Sequence, residues 1–164
     1  MTAIRLFFSY LCILLSWLLL LAPAPADAGV EHNLNVRLDP EKHLLVGTDE
    51  IAVSGKAAVG LSFFLSPDAE IRRLTVNGEP AEYRFHRNRV AVKTPETPPG
   101  ESLRLRVEYA TVFDDPFPET PANTDNPGFG VTGIVGEKGA FSLSGAGWYP
   151  VFPGTSSRFS ITVD

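Results

Sequence analysis

Apolar and polar side chains alternate in short runs along this chain. His32, Leu34, Val36 and Leu38 share one parity, and Asn33, Asn35 and Arg37 the other. That period of two marks a half-buried strand. Asp39-Pro40-Glu41-Lys42 has turn chemistry, because an Asp side chain bonds to nearby backbone and Pro presets the next φ. The next run puts Leu45, Gly47, Asp49, Ile51 and Val53 on one parity. A glycine inside a strand predicts a bulge or a close backbone approach. Asp49 falls on the apolar parity, and the expectation there is a bend or bulge rather than a buried charge.

Val59, Leu61, Phe63 and Leu65 predict a third strand, with Phe64 on its other face and Ser66-Pro67-Asp68 closing it. Residues 71–76 lead into Asn77-Gly78, a pair that tolerates the positive φ of a type I′ hairpin turn. Ala81, Tyr83 and Phe85 continue the alternation, as do Val90 and Val92 after a polar turn at Arg87-Asn88. Residues 94–100 are rich in proline and cannot sit inside a sheet. The clearest strand follows, with Leu103, Leu105, Val107 and Tyr109 alternating with Arg104, Arg106 and Glu108. Residues 113–130 show no period and exceed the length of most structureless loops, which marks a functional or surface-laid segment. A last hairpin is expected from residues 131–134 and 140–143 about Gly136-Glu137-Lys138-Gly139. The chain then passes through Ser144-Gly145-Ala146-Gly147 and Trp148-Tyr149-Pro150 to a final strand at residues 158–163. That strand stops at Asp164 with no turn or polar cap, so the expectation is a domain truncated at its C-terminal edge.

No stretch after residue 28 keeps a helical period. Short strands between turn formers, with 14 Gly and 14 Pro in 164 residues, predict an all-β fold. The form expected is a two-sheet antiparallel sandwich or a curved, saddle-like sheet. Residues 6–22 are almost wholly apolar, follow Arg5, and end at Pro23 and Pro25, with Ala26-Asp27-Ala28 beyond. This is the form of a helical signal peptide cleaved before Gly29, the alternative being a retained membrane anchor. Residues 29–164 are then the folded domain, secreted or periplasmic. The only Cys, Cys12, lies in the leader, so the domain needs no disulfide and offers no thiolate. A net charge of −5 gives no footprint for nucleic acid, and a membrane is reached only through an uncleaved leader.

The candidate chemistry is thin. His32, His43 and His86 fall in separate strands or turns without a His-Glu-x-x-His motif, so no zinc site is expected and each reads as a surface residue. Ser144 lacks the Gly-x-Ser-x-Gly elbow and a neighbouring His, and reads as a turn. Asp114-Asp115 and residues 123–126 fail the spacing of a calcium loop and read as solvated turns. Arg72, Arg73, Arg84, Arg87 and Arg89, interleaved with Glu79 and Glu82, read as a solvated face. Trp148, Tyr149, Pro150 and Phe152 are the candidate interdomain or partner surface. The alternative for the two large rings is a place in the core.

The order of these features resembles a known family. Leu38-Asp39-Pro40, then Leu45-x-Gly47 leading to Ile51-x-Val53, the Val76-Asn77-Gly78 hairpin, and the strand through Leu105-x-Val107-x-Tyr109 are similar to the N-terminal domain of gluzincin aminopeptidases, the membrane alanyl aminopeptidase family. Trp148-Tyr149-Pro150 followed by Arg158-Phe159-Ser160-Ile161-Thr162-Val163 resembles that domain's last segment. The resemblance implies a β saddle that packs on a zinc metallopeptidase domain and walls its peptide cleft. It also implies that zinc, its ligands and the catalytic groups lie in that later domain, with no cofactor in this chain. Many members carry a Gln or Glu into the specificity pocket just before the Trp-Tyr-Pro-like segment; this chain has Ser142-Leu143-Ser144-Gly145 there, so no substrate-binding residue carries over. Two other readings stand beside this one: a self-sufficient envelope module binding peptide or glycan, and a structural assembly subunit.

Overall fold

The computed structural model describes residues 29–54, 58, 60–95, 101–116 and 132–164. The expected leader, Val59, residues 96–100 of the Pro-rich link, residues 117–130 of the long aperiodic stretch and Val131 at the expected start of the last hairpin lie outside them. Among the described residues there are eleven strands and two single 3₁₀ turns, the all-β architecture read from the alternation. In order they are β1 (Gly29–Asp39), β2 (Leu44–Val53), β3 (Ser62–Phe64), β4 (Glu70–Val76), β5 (Glu79–Pro80), β6 (Tyr83–His86), β7 (Arg89–Val92), β8 (Leu103–Val112), β9 (Gly133–Gly136), β10 (Gly139–Ser142) and β11 (Ser156–Val163).

The main sheet has six strands in the order β11-β1-β2-β8-β4-β5. Its antiparallel centre follows from local connections. The 3₁₀ turn Pro40–Lys42 closes β1 onto β2, ending at His43 in the left-handed region at φ 52°. Asn77 and Gly78 turn β4 onto β5 with φ of 52° and 88°, the type I′ geometry expected of that pair. β11 runs parallel to β1, Gly29 beside Ser156 through Val36 beside Val163, so the sheet is mixed rather than wholly antiparallel. The pairings of β2 with β1 and with β8 are unbroken, so neither Gly47 nor Asp49 sits in a bulge. The one irregularity in this sheet lies between Ile71 and Arg73 on β4.

A small sheet, β3-β7-β6, and a two-stranded sheet, β10-β9, complete the fold. The chain crosses from the main sheet to the small one at Ala81 and Glu82, so the run expected as one strand at residues 81–86 is a two-residue break after β5 followed by β6. The inner face of the main sheet carries the even-numbered residues of β1 and the odd-numbered residues of β2 and β8. Phe63, Val90, Leu61 and Leu65 from the small sheet and its flanks meet Leu34, Ile51, Leu105 and Val107 in one core. Burying about a dozen such side chains at roughly 1.5–3 kcal/mol each supplies the main favourable term for folding.

Candidate functional site

The segment after β10 is built into the second layer by backbone hydrogen bonds. Phe64 donates to Val151 O at 2.8 Å, Val151 to Phe64 O at 2.9 Å, and Ser66 to Gly147 O at 2.8 Å. Gly147 closes the 3₁₀ turn Ser144–Ala146 with φ 67°. A Cβ there would press on the Leu65 and Ser66 backbone, so the glycine allows both the turn and the close approach. Ser144 serves this turn, accepting the Gly147 N–H at its carbonyl.

That docking lays three aromatic rings, Trp148, Tyr149 and Phe152, beside β1 and β11. Trp148 and Tyr149 pack edge to face at 4.7 Å, Tyr149 meets Phe159 at 5.2 Å, and Phe152 meets Phe63 at 5.5 Å. Pro150 and Phe152 are buried inside this chain, and Trp148 and Tyr149 are half-buried against the core. Of the four residues expected at a partner surface, only Trp148 and Tyr149 therefore have area left for a partner. Phe152 is a core residue.

Under these rings lies a polar pair that overturns two expectations. His32 is buried, not a surface residue, and Asp49 is buried in a regular strand with no bend to release it. His32 Nδ1 donates to Asp49 Oδ2 at 2.7 Å, with both side chains fully out of solvent. The hairpin register places His32 opposite Ile51 and Leu34 opposite Asp49, so the two are diagonal neighbours on one face. The imidazole stacks on Phe159 at 4.6 Å and 12°, with Tyr149 and Phe152 each 5.9 Å away. Among the described residues His32 Nε2 and Asp49 Oδ1 have no hydrogen-bond partner. Burial pushes the Asp49 carboxyl above its ordinary range, and the hydrogen bond from His32 pulls the other way.

Tyr109 completes this cluster. Its ring lies over Gly47, its register partner on β2, which is the close approach that the glycine predicted. The hydroxyl donates to Trp148 O at 2.8 Å, tying β8 to the aromatic segment. Burial first, and then the charge of Asp49, push the Tyr109 hydroxyl pKa upward.

The other candidates do not gather into a site among the described residues. His43 is exposed at the end of its turn and donates from Nδ1 to Val135 O at 2.6 Å, while His86 is exposed at the β6 end. Asp115 Oδ2 accepts from Thr132 N at 2.6 Å, Thr132 Oγ1 at 2.8 Å and Gly133 N at 3.0 Å. It ties the chain just after β8 to the start of β9, and those donors hold its carboxyl below the usual range. Residues 123–126 lie outside the described residues. Among the described residues no three His, Cys, Asp or Glu side chains are grouped to hold a metal ion.

Two surfaces escaped the sequence reading. On β11, Phe159, Ile161 and Val163 continue the rows of His32, Leu34 and Val36 on the inner face, yet they are 43%, 48% and 59% exposed. Their strict alternation was a usable signal. On the outer face of the main sheet a cavity of about 460 Å³ is lined by Glu31, Asn33, Glu50, Ala52, Arg104 and Arg106 among others. Arg106 bridges Glu50 at 2.6 Å and Glu108 at 2.9 Å, and its pKa is raised, first by Glu108.

No protein-family model matches the sequence, and no curated protein matches it either. Solved structures do match. An M1 zinc metallopeptidase of Deinococcus radiodurans with a Tyr-Ser-Ala substrate bound superposes with a TM-score of 0.60 at 23% identity, over 84% of this chain and 32% of that one. Another structure of an M1 zinc metallopeptidase from the same organism gives 0.59 at 22% identity, over 87% and 34%. The native leukotriene A4 hydrolase of Saccharomyces cerevisiae gives 0.57 at 12% identity, over 84% and 23%. This chain thus spans about a third or less of the proteins it matches. At these identities the likeness is one of fold: the chain has the all-β fold of the N-terminal region of M1 zinc metallopeptidases.

Proposed function

We propose that this chain serves as the non-catalytic N-terminal domain of an exported zinc aminopeptidase-like protein, packing on a metallopeptidase domain and walling its peptide cleft. The observation that carries the reading is the extent of the fold match, most of this chain against a third of a substrate-binding metallopeptidase. The zinc and its chemistry belong to the partner domain. The half-buried Trp148 and Tyr149 supply a rigid aromatic contact of the kind enriched at interfaces. Export rests on the leader, and a mature chain starting at Gly29 is its signature.

The test is to mix the chain with an M1 metallopeptidase catalytic domain lacking its own β region and to follow association by calorimetry. A one-to-one complex that restores aminoacyl-anilide hydrolysis, weakened by Trp148→Ala and Tyr149→Ala, is expected. Hydrolysis by this chain alone, with stoichiometric bound zinc, would overturn the reading. The outer-face cavity beside Arg104 favours a second reading, a self-sufficient module for peptide or glycan; a peptide or glycan that protects Arg104 and Ala52 from hydrogen exchange would select it.

A further inference from the structure

We infer that the free edge of β11 is a self-complementary docking strand whose occupant is β11 of a second copy of this chain, running antiparallel about a two-fold axis at Ile161. β11 ends the main sheet, and no described strand lies on its outer side. Asp164 donates to Val36 O and accepts from Leu38 N–H. In a parallel pair, alternate residues turn both backbone groups to the same side. Ser160, Thr162 and Asp164 therefore face β1, and Phe159, Ile161 and Val163 turn their N–H and C=O groups outward. These are the three residues whose side chains form the exposed apolar row. One strand thus offers unpaired backbone and uncovered apolar area at the same positions, the features that template strand addition.

The charges choose the register and the occupant. With Ile161 opposite Ile161 of the second copy, Phe159 faces Val163 in both directions, and about six backbone hydrogen bonds form across the seam. The same register places Arg158 opposite Asp164 twice. Among the described residues Arg158 has a single long contact, 3.5 Å to Glu31, both groups being well exposed. Ser160 and Thr162 face each other, and no like charges meet. Shifting the axis to Ser160 would set Arg158 against Thr162 and Val163 against Ser157, losing both charge pairs and part of the apolar match. The opposite edge of the sheet cannot do this, because β5 has two residues and one is Pro80, which has no N–H to donate.

The dimer concerns the chain alone and does not depend on a metallopeptidase partner. Sedimentation velocity on the full chain, at concentrations up to about 0.2 mM where micromolar association saturates, should show a reversible dimer. Arg158→Asp and Asp164→Arg should each weaken it by roughly tenfold or more, since two attractions become two repulsions. The swap Arg158→Asp/Asp164→Arg should restore it. Both positions are exposed, and circular dichroism checks that each variant folds. A monomer throughout the range overturns the inference, as does a dimer indifferent to the single reversals and to Ile161→Lys, which would place association elsewhere. Single variants weakened without recovery in the swap overturn the register.

Discussion

Removing either member of the buried His32–Asp49 pair should cost more than removing both. His32→Leu leaves a carboxylate that is 0% exposed facing apolar side chains, a loss of about 3–5 kcal/mol when one partner of a buried pair is deleted. Asp49→Leu leaves an imidazole with Nδ1 unpaired as well as the already unpartnered Nε2, at about 1–3 kcal/mol for a buried unsatisfied group. The double variant leaves neither group and fills the space with apolar atoms among Phe152, Phe159 and Leu34. Replacements of that kind are often neutral or stabilising by about 1–4 kcal/mol. Urea unfolding followed by circular dichroism gives all four corners of the cycle. The pH dependence has a definite sign. Because the Asp49 carboxyl is raised above 3.8 in the fold, its contribution to stability is fully present below 3.8 and is lost as pH rises through the folded-state value. Asp49→Asn keeps an acceptor for the Nδ1–H and cannot ionise, so its stability relative to the parent should climb as pH rises above 3.8 and then level off. Additive losses in the cycle, or an Asn variant that tracks the parent at every pH, would refute the reasoning.

Three shorter tests probe the scaffold. In Gly47→Ala the new Cβ would lie 2.7 Å from Tyr109 Cε1 and overlap Cζ; the ring is buried and hydrogen-bonded, so a loss of about 2–4 kcal/mol in urea is expected from overpacking and the strained bond to Trp148 O. Tyr109→Leu in the same chain should make Gly47→Ala markedly less costly, and equal costs in both backgrounds would exclude the ring as the cause. Gly78→Ala meets no atom within 4 Å but holds φ at 88°, so it should cost about 1 kcal/mol or slightly more through the backbone alone. Asp115→Ala removes three accepted hydrogen bonds and should speed hydrogen exchange at Thr132 and Gly133. In the parent, that protection should fade only as pH falls through the lowered carboxyl pKa, the stability of a depressed acid being present above 3.8.

The strands were legible because each buries one parity and shows the other to water, so alternation along β1, β2 and β8 marks both the element and its inner face. Partnership was not legible in the same way. Apolar alternation in β11 says that it is a strand but not that it runs parallel to β1, and the unbroken rhythm through Tyr83 and Phe85 conceals the crossing from one sheet to another at Ala81. The buried pair could have been foreseen. The turn at residues 39–43 fixes the β1–β2 register, and that register sets His32 diagonal to Asp49. Weighed one at a time, a histidine reads as surface and an aspartate as a bend; weighed together across the hairpin, each supplies the partner that lets the other be buried. The burial of two of the four residues expected at a partner surface, Pro150 and Phe152, was hidden for a related reason. A Trp-Tyr-Pro run signals large rings at a corner, but the backbone pairing of Phe64 with Val151, which drives Phe152 inward, has no sequence signature.

The inner face of the main sheet is covered unevenly, and that unevenness links the aromatic corner to the edge strand. From β8 to β1 the second layer seals each row: Val36 and Leu34 are buried, and the Phe152 and Tyr149 rings close over His32. One strand further, the same rows end in Phe159, Ile161 and Val163, which are open to solvent. Phe159 belongs to both regions, since it stacks on His32 and meets the edge of Tyr149 while part of its ring remains exposed. A partner strand along β11 would therefore bury area on Phe159 and dry the environment of His32 without touching it. If β11 is occupied, whether by a second copy or by a neighbouring domain, the pH at which Asp49 ionises should shift further upward, because desolvation is the largest influence on that group. Following the Asp49 carboxyl by carbon-detected NMR across a dilution series would join the two inferences in one measurement. A titration that does not move between dimer and monomer would separate the buried pair from the edge.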